Sequence, residues 1–226
     1  MKTNEHLPVS SLLKKLLNLS LIAVLLLPGL TLKSQESSAK SMAVYPTLGF
    51  GIGFFYPKDV NDYIQDEIIS DYGSSYNTDL YMYLEIKGGV TFRLKSVDFS
   101  ALLEYDIAPK FVVVSGGNNI SYSYSRFAPE ISVNFYIPNQ SGNHAFFIGG
   151  GVNYSFMHFK EFSASSPGFK LQLGYSLQFG KFNLQPNVAF RYVKATSSSK
   201  DVDFDLDYTG GQIGVILSFH PRINYK

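Results

Sequence analysis

From Leu80 to Leu94 the sequence alternates between two kinds of side chain with almost no error. Leu80, Met82, Leu84, Ile86, Val90, Phe92 and Leu94 share one parity, interrupted by Gly88. Tyr81, Tyr83, Glu85, Lys87, Thr91 and Arg93 share the other. Successive side chains of a strand point to opposite faces, so this stretch predicts a strand with one wholly apolar and one charged surface.

The pattern recurs. Alternating segments fall at 44–56, 80–94, 97–107, 127–137, 146–156, 169–179, 182–192 and 212–219. Short connections at 95–96, 138–143 and 180–181 trade places with longer ones at 57–78, 109–126, 160–167 and 196–207. Eight alternating segments joined by short and long connections in turn predict an all-β, eight-stranded antiparallel up-and-down transmembrane barrel. Alternation alone leaves open which face is inside, and volume decides it. Side chains nearly fill the interior of an eight-stranded barrel. The face rich in Leu, Phe, Ile and Tyr is too bulky for that space, whereas Gly49, Gly51, Gly53, Gly149, Gly151 and Gly214 suit it. The polar face is therefore expected inside and the apolar face against lipid, with a soluble barrel the disfavoured alternative.

Composition agrees. The 226 residues are 45% hydrophobic and 15% aromatic, too apolar for a disordered chain, yet mean hydropathy is only +0.01 because polar residues interleave. No apolar run beyond residue 35 is long enough for a membrane-spanning helix. A net charge of +1 without a basic stripe gives no pull toward nucleic acid. Lys2, Lys14 and Lys15 precede the apolar run 16–27, which Pro28 and Gly29 break. That order predicts a signal peptide over 1–34, a short segment over 35–42 and the barrel over 43–226, with cleavage after Ser34 preferred to Ala39. Absence of cysteine excludes a lipoprotein anchor, disulfides and thiol catalysis.

The stretch Gln212-Ile213-Gly214-Val215-Ile216-Leu217-Ser218-Phe219 resembles the β-signal read by the barrel-insertion machinery, although here the chain continues through His220 to Lys226. PEISVNFYIPN (129–139), AFFIGGGVNYSF (145–156) and GFKLQLGYSLQFGKFNLQPNVAFRY (168–192) are similar to the outer-membrane β-barrel domain family abundant in Bacteroidetes, often called the porin family. The resemblance implies the small OmpA/OmpX-like fold. It brings no catalytic residues and no cofactor, and no metal is expected.

Four groups of residues are candidates for function. Glu85, Lys87, Arg93, Glu104, Asp106, Glu130, Lys170 and Arg191 face inward, four of each sign, and predict a lumenal ion-pair network that plugs the barrel or gates a narrow path. In the first long connection, Asp59 is placed to cap a helix through Ser70 with Gly73 as its stop. Its stripe of Val60, Tyr63, Ile64 and Ile68 would cover the barrel mouth as a lid or bind a partner. Asp201, Asp203, Asp205 and Asp207 share one face of a strand, compensated by Lys194 or Lys200, or forming a rim cation site. Gly210–Gly211 is read there as a bulge, because apolar parity flips between Phe204, Leu206 and Tyr208 and Ile213 and Val215. Lastly, Tyr122 and Tyr124 alternate with serines beside a turn at 115–119 and would stand exposed. Of the mature histidines, His158 alone is placed near the outer rim, with Glu161 and Ser163 close in sequence; His144 and His220 fall at the other end.

The function expected is a non-enzymatic outer-membrane barrel serving envelope integrity or surface interaction. Its expected partners are outer-membrane lipid and lipopolysaccharide, the barrel-assembly machinery and a surface or envelope protein. A narrow gated pore is the first alternative and a lipid-A-modifying enzyme the second; a secretion-apparatus subunit also stays open.

Overall fold

A computed structural model describes residues 42–73, 79–94, 96–113, 119–139, 144–199 and 202–219. The elements are β1 Met42–Phe55, α1 Lys58–Tyr72, β2 Met82–Leu94, β3 Val97–Val113, β4 Asn119–Pro138, β5 His144–Phe159, β6 Phe162–Phe179, β7 Phe182–Tyr192, β8 Lys194–Ser199, β9 Val202–Asp207 and β10 Gly210–Phe219. Eight strands close into a barrel in the order β1-β10-β7-β6-β5-β4-β3-β2. Each predicted segment matches one of them, 44–56 overrunning β1 by one residue and 80–94 starting two before β2, and residues 212–219 lie in β10, which closes the barrel on β1 with Ile216 opposite Gly49. The remaining two, β8 and β9, form a separate ribbon.

The alternation does what its parity predicts. Ile86, Ile131, Val152, Leu171 and Ile213 face outward and are exposed, Ile131 at 66%. Arg191, on the opposite parity, is fully buried. Around the aliphatic middle the outward face carries aromatics: Tyr56 against Tyr81, Phe127 against Phe156 and Phe169 against Tyr192 at one end, Phe182 against Phe219 at the other. β7 spans this belt with 11 residues, the length of a tilted strand crossing a hydrocarbon core, about 9–11 residues. None of the described helices is long and apolar enough to cross a membrane.

Inside, the glycines make room for long neighbours. A Cβ on Gly53 would stand 1.8 Å from Tyr83 Cζ, and one on Gly49 would stand 2.6 Å from Lys87 Cε. Bare wall on one strand is filled by side chains rooted on the next.

The connections at one end differ from the simple loops expected. Residues 162–167 belong to β6, which turns directly out of β5 at Lys160–Glu161, and 109–126 consists largely of the prolonged β3 and β4. These strands outlast the apolar belt because their backbones stay paired as far as Phe159 with Phe162 and Val113 with Asn119. The Gly210–Gly211 bulge is not needed. Phe204, Leu206 and Tyr208 are buried, and so are Gln212, Ile216 and Ser218 on the same parity. What changes along this stretch is the chemistry of the interior, not the face that looks inward. Helix α1 starts at Lys58 behind Pro57, which offers no side-chain cap, so Asp59 sits in the first turn instead of capping it. Gly73, with φ 68°, ends the helix as expected, its N–H donating to the Ile69 carbonyl. The expected signal peptide 1–34, Lys200, Asp201, His220 and most of the turn at 115–119 lie outside the described residues.

Candidate functional site

The barrel interior is stacked in four layers. At the end bearing the short turns, Arg93 clamps Asp98 through two bonds of 2.5 Å, Nε to Oδ1 and a terminal nitrogen to Oδ2. Tyr45 and Tyr136 donate their hydroxyls to the same carboxylate at 2.8 and 2.7 Å, and the guanidinium lies 4.3 Å from the Tyr136 ring centre.

Above this base come neutral hydroxyls and amides. Thr91 bonds Thr47 and Ser100 at 2.8 and 2.9 Å, and Gln172 donates to Asn134 at 2.7 Å. They surround a cavity of about 10 Å³, enough for about one water molecule.

The third layer carries the charge. Arg191 donates to Asp106 at 2.6 Å, to Glu104 at 3.1 Å, to Glu85, and to the Tyr83 hydroxyl at 3.1 Å. Arg126 donates to Asp106 at 2.5 Å, to Glu104 at 2.9 Å and to Ser155 at 2.9 Å. Lys170 lies 2.6 Å from Glu104 and 2.5 Å from Glu130, and Lys87 lies 2.9 Å from Glu85. Gln212 donates to Glu85 at 2.5 Å. A buried ion survives only with an opposite charge and hydrogen bonds around it, and this lattice supplies both.

At the mouth the interior turns aromatic. Phe55 stacks on Tyr208 and Tyr124, with ring centres 4.9 and 5.9 Å apart, and meets Tyr83 edge-on at 5.3 Å. Phe159, Phe162 and Phe204 stack in a second group, the last two 4.0 Å apart. Helix α1 seats Val60, Ile64 and Ile68 in this cluster, all fully buried, and Tyr63 meets Phe159, Phe162 and Phe204 edge-on.

All eight lumenal charges singled out by sequence are buried, but the arrangement divides them. Seven join the third layer, while Arg93 stands apart in the base. Two further ions belong with these eight: Arg126, which the sequence sets at the end of the long connection 109–126, and Asp98, both buried. With them, the buried ions among the described residues number five cations and five anions. Arg126 sits on the inward parity of β4 with Glu130 and Ser132, which is the signal that could have found it.

Three other expectations are corrected. The α1 stripe of Val60, Tyr63, Ile64 and Ile68 offers no face to a partner, because its apolar side chains complete the chain's own core. Tyr122 and Tyr124 are buried as well, since above the belt the inward face is the dry one. The rim cation site does not form among the described residues, where no group of three or more acidic or histidine side chains could hold a metal ion. Lys194 lies 2.6 Å from Asp205, Thr196 donates to the same carboxylate, and Asp207 accepts from the Thr209 N–H. The Lys194 and Thr196 bonds hold the Asp205 carboxyl below its ordinary range, and the Asp205 bond raises Lys194. His158 Nδ1 lies 2.8 Å from Ser163 Oγ on the exposed wall of the β5–β6 hairpin.

No protein-family model matches the sequence, and no curated protein matches it. Solved structures resemble the fold at low identity. Neisserial surface protein A is 11% identical with a TM-score of 0.49, covering 81% of this chain and 99% of its own. The attachment invasion locus protein Ail of Yersinia pestis, solved with the heparin analogue sucrose octasulfate, is 9% identical with a TM-score of 0.39, covering 80% and 99%. Outer membrane protein AlkL, solved in DMPC lipid bilayers, is 14% identical with a TM-score of 0.37, covering 82% and 91%. What this chain shares with them is a small barrel.

Proposed function

We propose that this chain is a non-conducting, non-enzymatic barrel of the bacterial outer membrane that contributes to envelope integrity and presents its cap to the cell exterior. The observation that carries the reading is the contrast between wall and lumen. The wall is apolar outside between two aromatic rims, the form of a membrane-spanning barrel. The lumen carries paired ions, hydroxyls and rings from base to mouth, and the cavity among its hydroxyls and amides has room for about one water. Such an interior fixes the shape of the barrel and offers hydrated ions no path. A signal peptide over 1–34 and the β-signal-like 212–219 fit export and insertion by the barrel-assembly machinery. Lipid and lipopolysaccharide would meet the belt, and a surface or envelope protein would meet the cap. Membership of the Bacteroidetes porin-like family belongs to the same reading.

Single-channel conductance of the refolded protein in a planar bilayer tests it. A silent bilayer is expected, with folding verified by the compact gel mobility of the unheated barrel. Discrete openings that grow on Glu85→Ala or Arg93→Ala would replace this reading with a gated pore.

A further inference from the structure

The barrel has two tight hairpin turns built on a positive φ, and they are made of different residues. Gly180, with φ 61°, turns β6 into β7. Lys160, with φ 50°, turns β5 into β6. Glycine enters that region freely, whereas a lysine there sets its Cβ against the following carbonyl. Of the described residues other than glycine, only Lys160 has a positive φ. Its side chain shows what the strained backbone accomplishes. The Lys160 ammonium donates to both oxygens of Glu67 on α1, at 2.6 and 2.5 Å, and lies 5.2 and 5.0 Å from the ring centres of Tyr63 and Tyr122. Strain kept at one backbone position points to a task performed there.

The rest of the attachment of α1 is uneven. Its N-terminal half is tied by Asp59, which accepts from the Asp205 N–H at 2.9 Å, and by Asn61, which accepts from the Leu80 N–H at 2.7 Å. Both bonds reach backbone, which cannot move away without unmaking a strand or its entry. Glu67 in the C-terminal half is tied instead to a long, flexible side chain about one-third exposed. Ile68 of that half shares one buried cluster with Tyr122, Phe159, Phe162 and Phe204, and Tyr83 of the same cluster accepts from Arg191 of the ion lattice.

We propose that Lys160 is a latch for α1, and that freeing it lets the C-terminal half of the helix lift from the barrel mouth while the N-terminal half stays anchored. Lifting exposes an aromatic cup whose floor is the ion lattice. The cup is a dead end, so the opened lid makes a surface pocket and not a channel.

The chain has no cysteine, so Ile68→Cys, on the buried face of the C-terminal half of α1, gives a single probe. Maleimide labelling of this variant in lipid is expected to be slow, and to rise about tenfold when Lys160→Gly or Glu67→Gln is added. Lys160→Gly is the discriminating change, because it relieves the turn while removing the latch. The unheated barrel should keep its gel mobility and heat resistance while α1 loosens. Hydrogen exchange at the C-terminal α1 amides of the cysteine-free protein repeats the comparison should Ile68→Cys disturb the cap. Conductance should stay silent in Lys160→Gly, so a leak would count against the sealed lumen, not against the latch. Equal labelling and equal exchange with and without the Lys160 ammonium would overturn the proposal and leave Lys160 a turn residue only.

Discussion

The lower lumen and the cap are two interiors enclosed by the same wall. Both lie on the inward parity of the same strands: β4 contributes Glu130 and Arg126 to one and Tyr124 and Tyr122 to the other without a break in register. Where the outward face is apolar, the inward face holds charge. Where the strands rise past the belt, serines such as Ser121, Ser123 and Ser125 take the outer face and aromatics move inside. The strand keeps its geometry, and the surrounding solvent decides which face is dry. Within the belt the barrel is an inverted protein; above it, an ordinary one.

That comparison can be broken most forcefully in the charged layer. Arg191→Met leaves the buried layer one cation short, with Lys87, Arg126 and Lys170 facing four carboxylates, and should cost about 3–5 kcal/mol, read as a lower urea midpoint for unfolding in lipid. The base separates the cost of an orphaned ion from the value of a pair. Asp98→Leu alone leaves the Arg93 guanidinium buried without its carboxylate and should cost a similar 3–5 kcal/mol, whereas adding Arg93→Met should recover most of that loss. A double variant as unstable as the single would mean that the clamp itself supplies the stability.

In the cap the expected losses follow packing. Ile64→Ala should cost about 2–5 kcal/mol, and the loss should be local. Amides of α1 should exchange faster while those of β2 through β7 keep their protection; loss of protection throughout would show the two interiors to be one cooperative unit. Gly53→Ala tests the wall between them by setting a methyl against the Tyr83 ring, at about 1–3 kcal/mol for overpacking, relieved when Tyr83 is shortened to Leu. The smallest effect belongs to the ribbon. Asp205→Asn removes an exposed pair worth about 0–1 kcal/mol. Because Lys194 and Thr196 depress the Asp205 carboxyl, its contribution is present above the ordinary carboxylate pKa. It should fade as pH falls through the depressed value, so acid should close the gap between the variant and the parent in ribbon exchange.

The barrel was legible in the sequence because period-two alternation is local and survives wherever one face is buried. The lumenal charges were legible for the same reason: Glu85, Lys87, Glu104 and Lys170 sit on strands whose other face is unmistakably apolar. The cap was harder. Tyr122, Tyr124, Phe204 and Leu206 alternate as cleanly as anything in the belt, but a rule that sends apolar residues outward misplaces them once the strand passes the apolar belt. The change is written in the chain, since apolar parity switches between Tyr124 and Phe127 with no glycine or bulge to move the backbone. What local pattern does not contain is where the apolar belt ends. Arg126, at that boundary, was lost with it. Sequence offered both a lid and a partner surface for α1; only the contacts of Val60, Ile64 and Ile68 decide.

Gly49, Gly51 and Gly53 leave much of the inner side of β1 bare along the seam with β10, where the first and last strands of the barrel meet. Contacts across that seam join residues farthest apart in the chain and are the slowest to find one another. Through this stretch β1 can slide into the gap without dragging bulk past side chains already in place. Lys87 and Tyr83, carried by β2, then arch over it. The order of closure is thereby eased at the point where a cylinder is hardest to finish: the edge with the least to thread is the one that zips shut against the chain's far end.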